Sequence, residues 1–241
     1  MSASYGMPAA AVEHAFERGV NYVYWGSLRR KAFAEGVRNL RRHREQMVLV
    51  VQSYSPFGSY LRRSLERALR ELQFDYADVL LLGLWNRPVP GRVLDAARAL
   101  KDEGLVRFLG VSTHQRPLIA RLAPQPDYDL FHVRYNAVHP GAERDVFPYL
   151  TADRRPGIVA FTATCWGRLL KHRRIPDRER TPTASDCYRF VLSNPAVDIC
   201  MTGAANLEQT QQALAALDQG PLPEDEMAWM RRVGAAIYTK K

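Results

Sequence analysis

The feature of this sequence that most restricts its fold is a repeated alternation of two kinds of segment. Short apolar runs recur at 21–24, 48–51, 79–82, 107–111, 130–134, 158–163 and 198–202. Most are continuously apolar, as strands are when both sheet faces are covered. The stretches between them carry helical stripes: Leu61, Leu65, Ala68, Leu69 and Leu72; Ala184, Cys187, Tyr188, Val191 and Leu192; Leu207, Thr210, Leu214 and Leu217. Ser55-Pro56 and Asn206 supply helix starts, and Gly104 supplies a stop. Strands and helices taken one by one imply a parallel sheet with right-handed crossovers. The expected fold is an α/β, TIM-type (β/α) barrel forming one domain over residues 1–241, with an extra C-terminal helix.

Such a barrel uses about eight strands, and seven are legible here. The eighth belongs before the helix at 8–18, where residues 2–4 offer only a strand's tail. A first strand that is short or missing leaves open edges, which predicts a homodimer or some other shielding of the gap.

Composition narrows the class. Cys165, Cys187 and Cys200 are few and far apart. That argues against a disulfide framework and for a reducing, cytoplasmic setting. No Cys/His cluster has the spacing of a metal site. The first residues do not read as a signal peptide, and no apolar run nears the roughly 20 residues of a membrane span. The net charge of +9 is spread along the chain. Its densest run, 38–44, reads as a solvated helix end. Nucleic acid is therefore not the expected partner, and the positive field suits an anionic cofactor or substrate.

The segments also resemble, in order from about residue 8 to 217, those of the aldo-keto reductases. RGVNYVYWG resembles that family's GINxxDTA, LKDEGLVRFLGVST its LxxxGKVRxIGVSN, and GIVAFTATCWGRLL its GIxxxAYSPLxxGxL. MTGAANLEQTQQAL is similar to IPGxxxxEQLxEN. The resemblance implies a barrel that binds NADP or NAD at its C-terminal mouth and reduces carbonyls by hydride transfer. It implies a tyrosine acid, a lysine that lowers the tyrosine's pKa, an aspartate on the lysine, and a polarising histidine. It also places Ser112 and Thr113 at the nicotinamide amide and His132 where a glutamine would hold the amide's other side. Phe161 falls under the ring, and Gly203, Gln209 and Gln212 at the adenosine end. No arginine matches one that clamps a 2′-phosphate; Ala205 stands nearby.

The catalytic places have changed. Tyr24 stands for the aspartate, Gln52 for the lysine and Gly83 for the histidine. The shortened segment 25–28 gives the acid tyrosine no counterpart. A neutral Gln52 cannot stabilise a phenolate as an ammonium does, so the standard reductase mechanism is not expected.

Tyr24, Gln52 and His132 remain the catalytic candidates at the mouth, with Trp25, Trp85, Asn86, His114 and Arg134 as substrate-binding candidates. His132 titrates near neutrality when unperturbed, which suits proton transfer; it reads equally as a hydrogen-bonded core residue. Arg134 lies on the same side of its strand and suits a carboxylate, a phosphate or a loop ion pair. Cys165 reads as a packed, inert thiol. Three functions fit. The first is a diverged oxidoreductase acting on a small organic substrate. The second is a cofactor-independent lyase or isomerase using Tyr24, His132 and Arg134. The third is a non-catalytic barrel that binds a ligand or partner.

Overall fold

The computed structural model describes residues 1–26, 31–150 and 154–239. Seven parallel strands form one sheet in chain order: β1 (Tyr22–Trp25), β2 (Val48–Ser53), β3 (Ala77–Leu82), β4 (Val106–Ser112), β5 (Leu130–Arg134), β6 (Gly157–Phe161) and β7 (Ile199–Cys200). Each expected apolar run overlaps one of them. α1 (Ala9–Glu17) precedes β1; α2 (Lys31–Asn39), α3 (Gly58–Leu72), α4 (Gly91–Asp102), α5 (Arg116–Leu122), α6 (Ala142–Asp145) and α7 (Ala184–Leu192) lie between strands; α8 (Leu207–Gln219) and α9 (Glu224–Thr239) follow β7. None of the described helices is long and apolar enough to cross a membrane.

The period-two geometry of each strand sorts its residues between two cores. Tyr22, Tyr24, Val50, Val79, Leu81 and Val159 fill the inside of the curled sheet. Val23, Trp25, Leu49, Val51, Leu80 and Leu82 face outward into a larger core shared with the helices. Trp25 therefore packs among outer apolar residues and is not on the inner wall with Tyr24. The helices bury the stripes that the periodicity marks, as Leu61, Leu65, Ala68, Leu69 and Leu72 of α3 show.

Polar groups pin the ends of these elements. Asp78, Asp129 and Asp198 stand at the starts of three strands, and each accepts a hydrogen bond from the neighbouring strand's backbone, at Leu49, Leu109 and Ile158 respectively (2.7, 2.8 and 2.7 Å). Each also meets a cation: Arg44 and Arg107, Lys101, and Arg155. The same carboxylate thus fixes strand register and neutralises its own charge. Asn206 caps α8 through the Gln209 N–H at 2.9 Å, as its position before the helix implies. Gly104 adopts φ +75 just beyond α4. The Ser55-Pro56 start falls short: α3 begins at Gly58, and Ser55 Oγ instead closes a turn on the Phe57 N–H and carbonyl.

The seam between β1 and β7 is not an open gap. The Ser2 N–H donates to the Thr202 carbonyl at 2.8 Å and the Tyr24 N–H to the Met1 carbonyl at 2.9 Å, with Ser2 and Tyr24 bridged in parallel. Because β7 is only two residues long, this short extended segment is enough to span it. Met1, Ala3 and Met7 are buried there. On the far side, Gly234 lets α9 ride directly on the chain at Ala137. A Cβ at residue 234 would lie 2.0 Å from the Ala137 carbonyl oxygen.

Candidate active site

The inner positions at the C-terminal ends of the strands converge on a cavity of about 340 Å³. Register sets the neighbours: Tyr24 is level with Val50, Ser112 with His132, and Arg134 with Phe161. Tyr24, Gln52, Ser112, His132 and Phe161 contribute to the wall, and Ser2, Ser4, Thr162, Thr164, Tyr188 and Thr202 add hydroxyls. No described lysine, arginine, aspartate or glutamate lines it. Tyr54, Leu84 and Trp166, all well exposed, form an apolar rim.

Gln52 occupies the centre of the floor. Its Oε1 accepts a hydrogen bond from the Tyr24 hydroxyl, and its Nε2 donates to Ser112 Oγ at 3.1 Å. Gly83 makes the room, since a Cβ there would stand 2.3 Å from Gln52 Nε2 and 2.8 Å from the Tyr54 ring. Burial, with smaller contributions from Tyr54 and Tyr22, raises the Tyr24 pKa well above that of a free phenol. No lysine or arginine among the described residues lines the cavity to reverse that. Tyr24 is a hydrogen-bond donor and a very weak acid.

His132 lies deeper. Its Nε2 and the Tyr22 hydroxyl are 2.8 Å apart, and the rings of Tyr22 and Tyr24 flank it at 6.0 and 5.7 Å. Burial first, and the charge of the Met1 amine second, pull its pKa down to about 3. Burial favours the neutral imidazole, whose Nε2 is engaged by the Tyr22 hydroxyl, so His132 is placed as a hydrogen-bonding strut. His114, at the cavity edge against Phe161, is also shifted down, by burial and then by the charge of Arg134.

The loop after β6 forms the most unusual wall. Thr162, Cys165 and Trp166 hold φ of 63, 51 and 54, a left-handed backbone that costs side chains about 1–2 kcal/mol each. Such strain clusters where a loop must present groups to a ligand. Arg134, Arg168 and Arg174 gather around Cys165 beneath this loop, each with its Nε buried and without a hydrogen-bond partner. Arg168 reaches the Ile237 carbonyl at 2.9 Å, and Arg134 lies under Trp166, 6.0 Å from the ring centre. None of the three forms an ion pair with a described residue. Burial raises the Cys165 thiol's pKa, the arginines offset this only in part, and the residue is fully buried. His139 Nδ1 is 3.7 Å from the sulfur, but that nitrogen also faces Asn136 Oδ1 at 3.2 Å. This is a packed thiol and not an activated one.

Most of the other candidates fall outside the cavity. Trp85 is in the outer core. Asn86 accepts from Thr113 Oγ1 and the His114 N–H, so Asn86 and Thr113 brace a loop. Arg134 is behind Trp166. Of the residues expected at an adenosine end, Gly203 reaches the cavity, whereas Gln209 and Gln212 lie exposed on α8. Gln209 Oε1 accepts the Ala205 N–H, and Gln212 bonds Glu208. Leu28 and Ser27, in the shortened segment, are outside the described residues. The sequence reasoning missed Ser2, Ser4, Tyr22, Tyr188, Thr202, Arg168 and Arg174. For Tyr22 the alternation along β1 was an available signal; for the others only the folded loops supply one.

Comparison with known proteins fits this geometry. The model of the aldo/keto reductase family matches residues 8–186. The chain belongs to the aldo/keto reductase family. This aldo/keto reductase is 22% identical over 250 residues to L-galactose dehydrogenase of Arabidopsis thaliana, covering 87% of this chain and 77% of the plant protein. Its fold superposes with a TM-score of 0.78 on an aldo-keto reductase from Bacillus halodurans in its holo form, at 18% identity over 93% of this chain and 86% of the other. An aldo/keto reductase from Klebsiella pneumoniae in complex with NADP and acetate gives a TM-score of 0.77 at 24% identity, over 94% and 84% of the two chains. A second structure of an aldo-keto reductase from Klebsiella pneumoniae, in complex with NADPH, gives a TM-score of 0.76 at 24% identity.

Proposed function

We propose that this aldo/keto reductase is a diverged NADP(H)- or NAD(H)-binding oxidoreductase for a small, uncharged, hydroxyl-bearing substrate, working without the family's usual acid. The observation that carries the reading is the set of three buried guanidinium Nε atoms of Arg134, Arg168 and Arg174. They lie unpaired around Cys165, beneath the loop that follows Phe161. Orphaned cationic donors under a strained loop fit a diphosphate, which is a bidentate acceptor for arginine. The ring of Phe161 fits the nicotinamide. The adenosine end offers no guanidinium, because Ala205 and Gln209 are already bonded to the helix's own side chains.

When bound, the cofactor supplies hydride chemistry. Phe161 orients it by stacking, and the arginines beneath the loop contribute a positive field that favours its negative charge. Trp166, Tyr54 and Leu84 restrict water at the rim. Tyr24 holds its proton at Oη against Gln52, a neutral partner. A buried phenol without a tuning cation is a poor acid, so ordinary carbonyl reduction should be feeble. The hydroxyl-lined, charge-free cavity suits a polyhydroxylated substrate; the plant relative is named for L-galactose. Three unpaired thiols suit the reducing cytoplasm.

The cofactor-independent lyase or isomerase loses support, since burial holds its proton-transfer candidate His132 in the neutral form. The test is titration with NADPH and NADH followed by fluorescence and thermal shift, then turnover on a carbonyl panel. Binding below millimolar concentration with slow turnover is expected. No binding of either nucleotide would sink the oxidoreductase reading, and rapid turnover of simple aldehydes would sink the altered-acid reading.

A further inference from the structure

Folding joins cations and rings from two helices into one exposed strip outside the cavity. Arg63 and Arg67 stand one turn apart on α3, so they share a face. Tyr60 precedes them on that face, and the Arg63 guanidinium lies over its ring, 5.5 Å from the centre. The rings of Tyr60 and Phe57 meet at 6.1 Å. Phe57 in turn shares a groove with Arg92 of α4. Gly58 permits that approach, since a Cβ there would stand 2.7 Å from Ala96 Cβ and 2.9 Å from the Arg92 carbonyl oxygen.

The groups of the strip are uncommitted. Arg63, Arg67 and Arg92 are exposed, and none makes an ion pair or hydrogen bond with a described residue. Their neighbours do: Arg62 pairs with Glu66 and Glu103, and Arg98 with Asp95 and Asp127. Like charges at the spacing of Arg63 and Arg67 repel, a cost that a bound anion relieves. Glu71, one turn past Arg67, ends the strip. Phe57 and Tyr60 are each 52% exposed. A single exposed ring is ordinary, whereas two in contact between uncompensated cations are not. Ser55 Oγ holds Phe57 in place through its N–H and carbonyl, at 3.1 and 2.9 Å.

We propose that this strip docks single-stranded nucleic acid, with bases stacked on Phe57 and Tyr60 and phosphates held by Arg63, Arg67 and Arg92. Such binding needs ring faces for bases and cations along a line for the backbone. From Tyr60 to Arg67 the helix rises about 10 Å, so the strip takes about four nucleotides. Arginines on both sides of the rings match a chain that carries charge on both sides of each base. A bilayer is a poorer match, because α3 buries Leu61, Leu65, Leu69 and Leu72 and has no apolar face left to insert. An acidic peptide would meet the arginines and leave the rings without flat partners. Charge counted along the chain argues against nucleic acid because Arg92 is far from Arg67 in sequence; the packing of α3 on α4 removes that distance.

The test is fluorescence anisotropy of the whole protein with a labelled oligo(U) of about ten nucleotides, over a series of salt concentrations. The plot of log affinity against log salt should have a slope of about −2, the sum for three single-strand phosphates at about −0.7 each. Arg63→Gln combined with Arg67→Gln should bring it to about −0.7. Phe57→Ser and Tyr60→Ser should each weaken binding about tenfold and leave the slope in place, the scale of losing one stacked base. Arg121→Gln, at an exposed and equally unpaired arginine of α5, should change nothing. Every substituted side chain is exposed, and the arginine and ring variants are independent checks. Several results overturn the proposal. They are no binding at low salt, equal weakening by Arg121→Gln, and ring variants that bind like the wild type. Displacement of the oligonucleotide by polyglutamate or phosphatidylserine vesicles as readily as by unlabelled oligo(U) would assign the strip to an acidic protein or a membrane instead. Displacement by NADPH would put the strand at the cavity mouth, and the strip would lose its role.

Discussion

Acidification should expose the cost of keeping His132 neutral. The imidazole is 3% exposed, and its pKa falls from 6.5 to about 3 on burial. A depressed pKa means that the unfolded chain binds the proton first. Stability is therefore full above about pH 6.5 and is lost as pH falls toward 3. Between pH 7 and 4.5 the unfolded histidine becomes almost wholly protonated while the native one does not, a loss of about 2.5 kcal/mol. His132→Gln removes the titration and leaves an amide able to meet the Tyr22 hydroxyl. Guanidinium unfolding of both proteins at the two pH values isolates the histidine. With a slope of about 5 kcal/mol/M, the wild-type midpoint should drop about 0.5 M more than the variant's. The buried Met1 amine, lowered to about 5 by burial, acts in the same direction, but it is common to both proteins and cancels. Equal losses would show that His132 is hydrated or charged in the native state, and the strut description would fail.

Four further outcomes follow from local geometry. Gly234→Ala drives a Cβ against the Ala137 carbonyl, which is backbone and cannot step aside; about 2–3 kcal/mol should be lost, seen as a fall in Tm of about 5–10 °C. Gly83→Ala meets the flexible end of Gln52, so it should cost only about 1–2 kcal/mol by the same assay while displacing the amide from Ser112. Thr183→Ala removes the hydroxyl that bonds the Asp186 N–H and caps α7, for about 1 kcal/mol in chemical denaturation. Phe161→Ala should weaken NADPH binding by about tenfold in fluorescence titration, since a stacking face contributes about 1–1.5 kcal/mol. Unchanged affinity would place the nicotinamide elsewhere.

The fold was legible because its determinants are local and repeated. Continuous apolar runs and helical stripes recur often enough that one ambiguous segment does not alter the reading. The site was legible only in part. Gln52 and Ser112 end strands whose inner face is set by alternation, so their convergence could be foreseen. Trp25 misled because an aromatic residue beside Tyr24 suggests a shared wall, whereas one step along a strand reverses the side chain. Arg134 follows the correct alternation, yet the strand ends there and its long side chain runs behind Trp166. Ser2, Thr202 and Arg168 reach their places through loop and seam contacts that have no period to read.

The fit of Gln52 beside Gly83 also bears on how such a mouth can change over generations. The volume that a side chain at 83 would need is filled by the amide at 52. A histidine arriving at 83 while glutamine remains would collide, and a lysine arriving at 52 alone would find no carboxylate at Tyr24. Each single step toward the family's charged arrangement passes through a damaged intermediate. The neutral pair is therefore a trap in sequence space, and ancestors or laboratory lineages that leave it should be found to change both positions together.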